Sequence, residues 1–249
     1  MAVEPWRTGT VIRILDETYN TKRYFIKVNE LESFNFKPGQ FVTLDLPIHE
    51  KPNKRWRSYS IASWPDGSNV FELLIVLLEG GAGTTYLFNE IKEGSELIYR
   101  GAQGVFTLPQ IIDKDMFFVC TGTGIAPFRS MASYIQLHNI PHKNIYLIFG
   151  SRTQKDLLYY EEMRSLQEKL PGFNFMPTLS REEWDGRKGY VHAVYEQLCT
   201  NVQPENNNSP ELLPAYFYLC GWKAMIDEAR QRIVQLGYDR KSIHLELYG

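Results

Sequence analysis

The sequence is poor in cysteine, shows no surplus of one charge and carries no long apolar run. Its three cysteines, Cys120, Cys199 and Cys220, stand singly, with no Cys-x-x-Cys pair. An iron–sulfur cluster or a structural zinc site needs four ligands, so neither is expected. An odd number of cysteines also argues against a disulfide framework. The formal charge of -2 lacks the basic surplus of nucleic-acid binders. The longest apolar stretches, near Leu73–Leu78 and Met116–Cys120, fall far short of a membrane span. The opening residues, MAVEPWRTGTV, show no basic stretch followed by an apolar run. No secretory leader is therefore expected, and a cytoplasmic location is.

What is present describes an ordinary globular chain. Its 249 residues suffice for two domains, and 43% hydrophobic with 22% charged content excludes a disordered or fibrous class. With 15 Tyr, 14 Phe and 5 Trp, the chain is equipped to stack on planar rings as well as to fill cores.

The first part reads as short strands: Thr10–Leu15, Arg23–Val28, Gln40–Leu46, Arg57–Ala62 and Val70–Leu78. Turn formers separate them at Lys37-Pro38-Gly39, Pro65-Asp66-Gly67-Ser68 and Glu93-Gly94. A helix over Thr84–Ile91 interrupts the series, with Leu87, Phe88 and Ile91 on one face. This pattern predicts an antiparallel β-barrel or sandwich.

After Pro109 the pattern changes. Met116–Cys120, Asn144–Phe149, Phe173–Pro177, Tyr216–Cys220 and Ser242–Leu247 read as strands. Helices alternate with them over Ser130–Leu137, Asp156–Leu170, Val191–Leu198 and Ala224–Gln235. Such alternation predicts an α/β domain with a parallel sheet. The boundary falls near Pro109–Asp115, giving domains 1–110 and 111–249. Gln203–Pro214 reads as a polar surface loop.

Two motifs carry chemistry. Thr121-Gly122-Thr123-Gly124-Ile125-Ala126-Pro127-Phe128-Arg129-Ser130 follows the first strand of the α/β domain. Ligands bind there in open α/β sheets, at the carboxyl edge beside a helix N-terminus. Glycine lets backbone N–H groups approach a pyrophosphate, whose charge the helix dipole favours. The turn is neither GxGxxG nor a Walker loop, and alone it also suits a plain strand–helix connection. In Arg57-Ser58-Tyr59-Ser60-Ile61-Ala62-Ser63, strand alternation puts Arg57 and Tyr59 on one side and Ser58 and Ser60 on the other. The arginine suits a phosphate, the phenol a planar ring and the hydroxyls hydrogen bonds. Alone, this too could be an ordinary half-buried strand.

Together and in this order, the motifs resemble the ferredoxin–NADP reductases, and the resemblance covers essentially the whole chain. Gly81-Ala82-Gly83-Thr84-Thr85-Tyr86-Leu87 is similar to that family's Gly-x-x-Ser-x-aromatic-Leu. Tyr218-Leu219-Cys220-Gly221 is similar to its aromatic-x-Cys-Gly, and Glu246-Leu247-Tyr248-Gly249 to its Glu-x-Tyr ending. The resemblance implies FAD and NADP(H) as cofactors and an oxidoreductase passing electrons to ferredoxin or flavodoxin. By it, Arg57 pairs with the flavin diphosphate, and Thr84 helps hold that diphosphate with the N–H groups around Gly83 and Thr85. Tyr59 stacks on the isoalloxazine, with Ser58 beside it, and Ser60 hydrogen-bonds near the reactive nitrogen. Ser60, Cys220 and Glu246 surround hydride transfer, while Tyr248 covers the face that nicotinamide must reach. Thr123 and Gly124 take the nicotinamide nucleotide's pyrophosphate. Leu179-Ser180-Arg181-Glu182 and Lys188-Gly189-Tyr190 are similar to elements of NADP-specific members. Ser180 and Arg181 would then bind the 2′-phosphate, with Lys188 in support and Tyr190 on adenine. Ser151 and Arg152 lie nearby, and Arg187 is a further cation.

The chain departs from the family where Leu74–Leu78 lacks the basic residues of plant members. It departs again where Gly101-Ala102-Gln103-Gly104 replaces Gly-Pro-x-Gly, and where a lone Gly249 follows Tyr248. Two other readings remain: a reductase component feeding a monooxygenase, and a flavin-binding redox sensor without turnover. Lys51, Lys54 and Arg55 form a basic stretch before the flavin strand, suited to steering an acidic carrier.

Overall fold

The computed structural model describes residues 4–200 and 212–248, and the backbone but not the side chain of Tyr248. The polar loop expected over Gln203–Pro214 lies outside these residues up to position 211, as does Gly249. The described chain divides into two compact units, residues 4–108 with 126–137, and 109–125 with 138–248.

The first unit is a six-stranded antiparallel sheet built from β1 (Trp6–Thr18), β2 (Thr21–Val28), β3 (Phe41–Asp45), β4 (Trp56–Ser60), β5 (Val70–Val76) and β6 (Glu96–Gln103), in the order β4-β3-β6-β1-β2-β5. Its edge strands meet at a bridge between Ile61 and Leu73, and the Ala62 N–H donates to the Glu72 carbonyl at 2.8 Å. The curled sheet buries alternating residues such as Tyr24, Ile26 and Val28 on β2, and Leu97 and Tyr99 on β6. Helix α1 (Ala82–Asn89) lies between β5 and β6, anchored where the Tyr24 hydroxyl donates to the Leu87 carbonyl at 2.9 Å.

Strand β6 is absent from the sequence expectation. Its first part, Leu97-Ile98-Tyr99, carries strand-forming residues with alternating burial, and its last three residues, Gly101, Ala102 and Gln103, weak strand formers, are held in the strand by pairing with β3. Helix α2 (Ile125–Leu137) runs longer than the expected Ser130–Leu137, since Pro127 in its first turn needs no hydrogen-bonded N–H. It packs with this first unit: Phe128 meets Phe106 at 5.8 Å between ring centroids. Arg129, buried, donates to the Ala62 carbonyl at 2.8 Å and to Glu72 at 3.0 Å. Glu72 is itself buried in β5 and also accepts from Arg23 at 2.7 Å.

The second unit is a parallel sheet of β7 (Asp115–Thr121), β8 (Ile145–Ser151), β9 (Phe173–Leu179), β10 (Arg187–Lys188), β11 (Ala215–Trp222) and β12 (Ile243–Tyr248), ordered β10-β9-β8-β7-β11-β12. Helices α3 (Tyr160–Lys169), α4 (Val191–Thr200) and α5 (Lys223–Gln235) connect them. Strands β7 and β11 are apolar along their length because both faces are covered.

The helix expected over Asp156–Leu170 starts late, at Tyr160. Asp156 instead takes the Thr153 N–H and hydroxyl in a capping box around a short 3-10 turn, and Tyr159 adopts a left-handed φ of 51°. Among the described residues, no helix is long and apolar enough to cross a membrane.

Candidate functional site

In the first unit, β4 is an edge strand paired only along β3, with Thr43 opposite Ser58 and Phe41 opposite Ser60. Arg57 and Tyr59 are half-buried, Ser58 is exposed with its hydroxyl 3.0 Å from that of Thr43, and Ser60 is buried. Burial pushes the Tyr59 phenol up to about 12 against the opposing pull of Arg57, so the ring stays neutral. Arg57 Nη1 donates to the carbonyls of Lys54 at 3.0 Å and Trp56 at 2.8 Å. Those bonds aim the side chain, and no carboxylate pairs with it among the described residues.

The N-terminus of α1 lies against this cation. A Cβ on Gly83 would sit 3.0 Å from Arg57 Cγ and 3.3 Å from its Nε, so glycine allows this close approach without displacing the arginine stem. The first helical bond runs from the Thr85 N–H to the Gly81 carbonyl at 2.9 Å. That leaves the N–H groups of Ala82, Gly83 and Thr84 without helical partners, at the positive end of the dipole. The Thr84 hydroxyl is buried and occupied: it accepts the Leu78 N–H and donates to the Gly81 carbonyl, both at 3.1 Å. It shapes the loop, while the Thr85 side chain is exposed. An unpaired guanidinium beside unclaimed N–H groups, with no Cβ between, fits a dinucleotide's diphosphate.

In the second unit, the motif after β7 forms a 3-10 turn, Gly122–Gly124, with Gly122 at φ 54°. A Cβ on Gly124 would overlap the Cys220 carbonyl, so Thr123 and Gly124 lie directly on the carboxyl end of β11. Thr121 Oγ1 is buried there with no hydrogen-bond partner among the described residues. Cys220 is fully buried and stands in register with Glu246 on β12, as Trp222 does with Tyr248. Ser60 belongs to the other unit. Cys120 and Cys199 are buried, and burial raises both thiols above their ordinary range, as befits packing residues.

The strand ends of β8 and β9 bring the remaining residues together. The Ser180 N–H donates to the Ser151 carbonyl, and the Arg181 N–H to the Arg152 carbonyl, each at 3.0 Å. The chain then folds back as β10, where Lys188 pairs with Leu179 and Arg187 with Thr178. Lys188 forms an ion pair with Glu183, so its charge is already engaged. Arg152, Arg181 and Arg187 are exposed and have no carboxylate partner among the described residues. Tyr190 is 73% exposed, an open ring face beside them in sequence. Arg55, in the basic stretch before β4, is paired with Asp45 at 2.8 Å, which leaves Lys51 and Lys54 as its open cations. Sequence reasoning passed over Trp184 and Arg129; an indole inside a run of charges was the available signal for the first.

The chain is similar to known proteins in both units. The Oxidoreductase FAD-binding domain family matches residues 9–108, and the Oxidoreductase NAD-binding domain family matches 118–231. Ferredoxin--NADP reductase B of Sorangium cellulosum is 35% identical over 221 residues, covering 87% of each chain. The glycine betaine monooxygenase reductase subunit of Pseudomonas aeruginosa is 27% identical over 259 residues, covering 100% of this chain and 67% of that one. The crystal structure of a ferredoxin NADP+ reductase from Neisseria gonorrhoeae with bound FAD and NADP superposes with a TM-score of 0.77 at 25% identity, covering 97% of this chain and 98% of that one. On these matches the chain belongs to the ferredoxin–NADP reductase family of FAD-dependent NAD(P)H oxidoreductases.

Proposed function

We propose that the protein takes hydride from NADPH onto FAD and releases single electrons to a small carrier, ferredoxin or flavodoxin. The observation that carries this reading is Arg57, a cation with no carboxylate partner among the described residues, held against the N-terminus of α1 at Gly83. Residues 1–110 would hold FAD and residues 111–249 NADP(H). Bound FAD supplies the conversion between two-electron and one-electron transfer. The chain's own residues bind and orient. Arg57 and the N–H groups of Ala82, Gly83 and Thr84 hold the diphosphate, Tyr59 offers its neutral ring to the flavin, and Ser60 offers a hydroxyl. Thr123 and Gly124 receive the nucleotide's pyrophosphate. Cys220 and Glu246, side by side, fix the nicotinamide's position, and Tyr248 closes the same edge.

The cations Arg152 and Arg181, with Ser151 and Ser180, support NADP over NAD, because a 2′-phosphate needs cations and a bare ribose prefers a carboxylate. Lys188 and Tyr190 complete that side. Lys51 and Lys54 would meet the carrier. The matched share of the two relatives, 87% of the ferredoxin reductase against 67% of the monooxygenase component, favours the carrier reading. The cytoplasm is the proposed location.

Anaerobic mixing tests this directly. NADPH and NADH are added in parallel, and bleaching of the flavin band is followed; ferredoxin and flavodoxin are then offered. Fast bleaching by NADPH and reoxidation by either carrier is the expected result. A flavin that copurifies but does not bleach would identify a sensor instead.

A further inference from the structure

The stretch from Ser180 to Tyr190 contains an indole that the nucleotide reading leaves unused. Alongside Arg181, Arg187 and Lys188 it carries Glu182, Glu183 and Asp185. Carboxylates beside a phosphate site oppose binding, yet the fold withdraws two of them. Glu182 accepts the Gln154 N–H at 2.7 Å, and Glu183 pairs with Lys188. Trp184 sits between these contacts, half-buried, with Nε1 donating to the Arg187 carbonyl at 2.7 Å. Its ring meets Tyr160 edge-on at 6.4 Å. It also lies flush on the Gly186 backbone, where a Cβ would overlap the indole.

The consequence is a closed loop. Beyond Arg187, the Thr178 hydroxyl donates to the Gly189 carbonyl at 3.0 Å and the Gly189 N–H to the Leu179 carbonyl at 2.8 Å. Arg187 is thereby set in register with Thr178, on the strand whose end carries Arg181, which is bonded in turn to Arg152. Backbone pairing thus sets residues 152, 181 and 187 on the β8–β9–β10 side of the sheet, and the indole's bond to the Arg187 carbonyl ties down the segment that carries the third.

We propose that Trp184 is a positioning residue for nucleotide selection: its indole closes the 181–188 loop so that Arg187 joins Arg152 and Arg181 as the receptor for a 2′-phosphate. This rests on the NADP reading above. Trp184 itself touches no nucleotide; it acts through the Arg187 backbone.

The test uses the FAD-loaded protein and two variants. Trp184→Phe keeps a ring but loses the N–H, whereas Gly186→Ala keeps the indole and displaces it. Calorimetry gives the Kd of 2′,5′-ADP and of 5′-AMP, and steady-state kinetics give KM and kcat with NADPH and NADH. Both variants should bind 2′,5′-ADP about tenfold more weakly, equivalent to about 1.4 kcal/mol. Their 5′-AMP affinity, NADH kinetics, NADPH kcat, FAD content and melting temperature should stay at wild-type values. Unchanged 2′,5′-ADP affinity in both variants would overturn the proposal. So would equal losses for 2′,5′-ADP and 5′-AMP, which mark a merely structural role. If the wild type binds 2′,5′-ADP no more tightly than 5′-AMP, the NADP reading itself fails and the proposal falls with it.

Discussion

Gly83 and Arg57 are fitted to one another: a Cβ on Gly83 would begin 3.0 Å from Arg57 Cγ. The Gly83→Ala variant should therefore fold but push the guanidinium aside and weaken FAD binding by about tenfold or more, as expected for one charge-assisted contact. The flavin-to-protein absorbance ratio after desalting measures this. Arg57→Gln should lose as much, and Arg57→Lys should recover only part, because the ammonium lacks the planar fork.

Cys220 and Glu246 occupy opposed positions on adjacent strands at the carboxyl edge. Cys220→Ser and Glu246→Gln should slow flavin reduction by NADPH, by up to about a hundredfold if the nicotinamide is misplaced by an ångström. FAD content should be unchanged. Anaerobic stopped-flow separates the two effects, since binding alters the concentration dependence and positioning alters the limiting rate.

Glu72 is a buried carboxylate held by Arg23 and Arg129. Removing one partner of a buried ion pair strands the other, at a cost of about 3–5 kcal/mol. Arg129→Ala leaves Glu72 with Arg23 as its remaining cation, so unfolding stability should fall by less than that in urea titration. The paired change Glu72→Gln with Arg129→Gln should lose less than Glu72→Gln alone, because Arg129 is then no longer stranded and Arg23 keeps Glu17.

Two histidines make the fold acid-sensitive. Burial lowers His192, against the opposing pull of Glu228, and burial also lowers His244. With folded values below the ordinary 6.5, both groups resist protonation in the native state. Their stabilising share is complete above pH 6.5 and is lost as pH falls from there toward the folded values. Melting temperature should drop across that window, and His192→Gln should flatten the drop.

Much of the fold was legible in local pattern. Alternation along Arg23–Val28, continuous apolarity over Met116–Cys120 and glycines at the turns each follow from covalent geometry and burial, which neighbouring residues express. The nucleotide turn and the RSYS strand were legible as motifs because their chemistry is concentrated in a few consecutive residues.

What local pattern did not contain was decided by tertiary contact. β6 runs on through Gly101 and Ala102, which have no strand preference of their own, because β3 pairs with that end. Asp156 caps a turn because Thr153 faces it, which delays α3 to Tyr160. Thr84, a candidate phosphate ligand by motif, spends its hydroxyl on the Leu78–Gly81 loop.

By itself, then, the sequence determined the two-part architecture, the cofactor class and the identity of the charged candidates for binding. Only the tertiary structure decided which of those charges are open. Among the described residues Arg57, Arg152, Arg181 and Arg187 have no carboxylate partner, while Arg55 and Lys188 pair with Asp45 and Glu183. The reason is physical: a side chain's charge is local, but its partner is chosen by chain segments that meet only on folding.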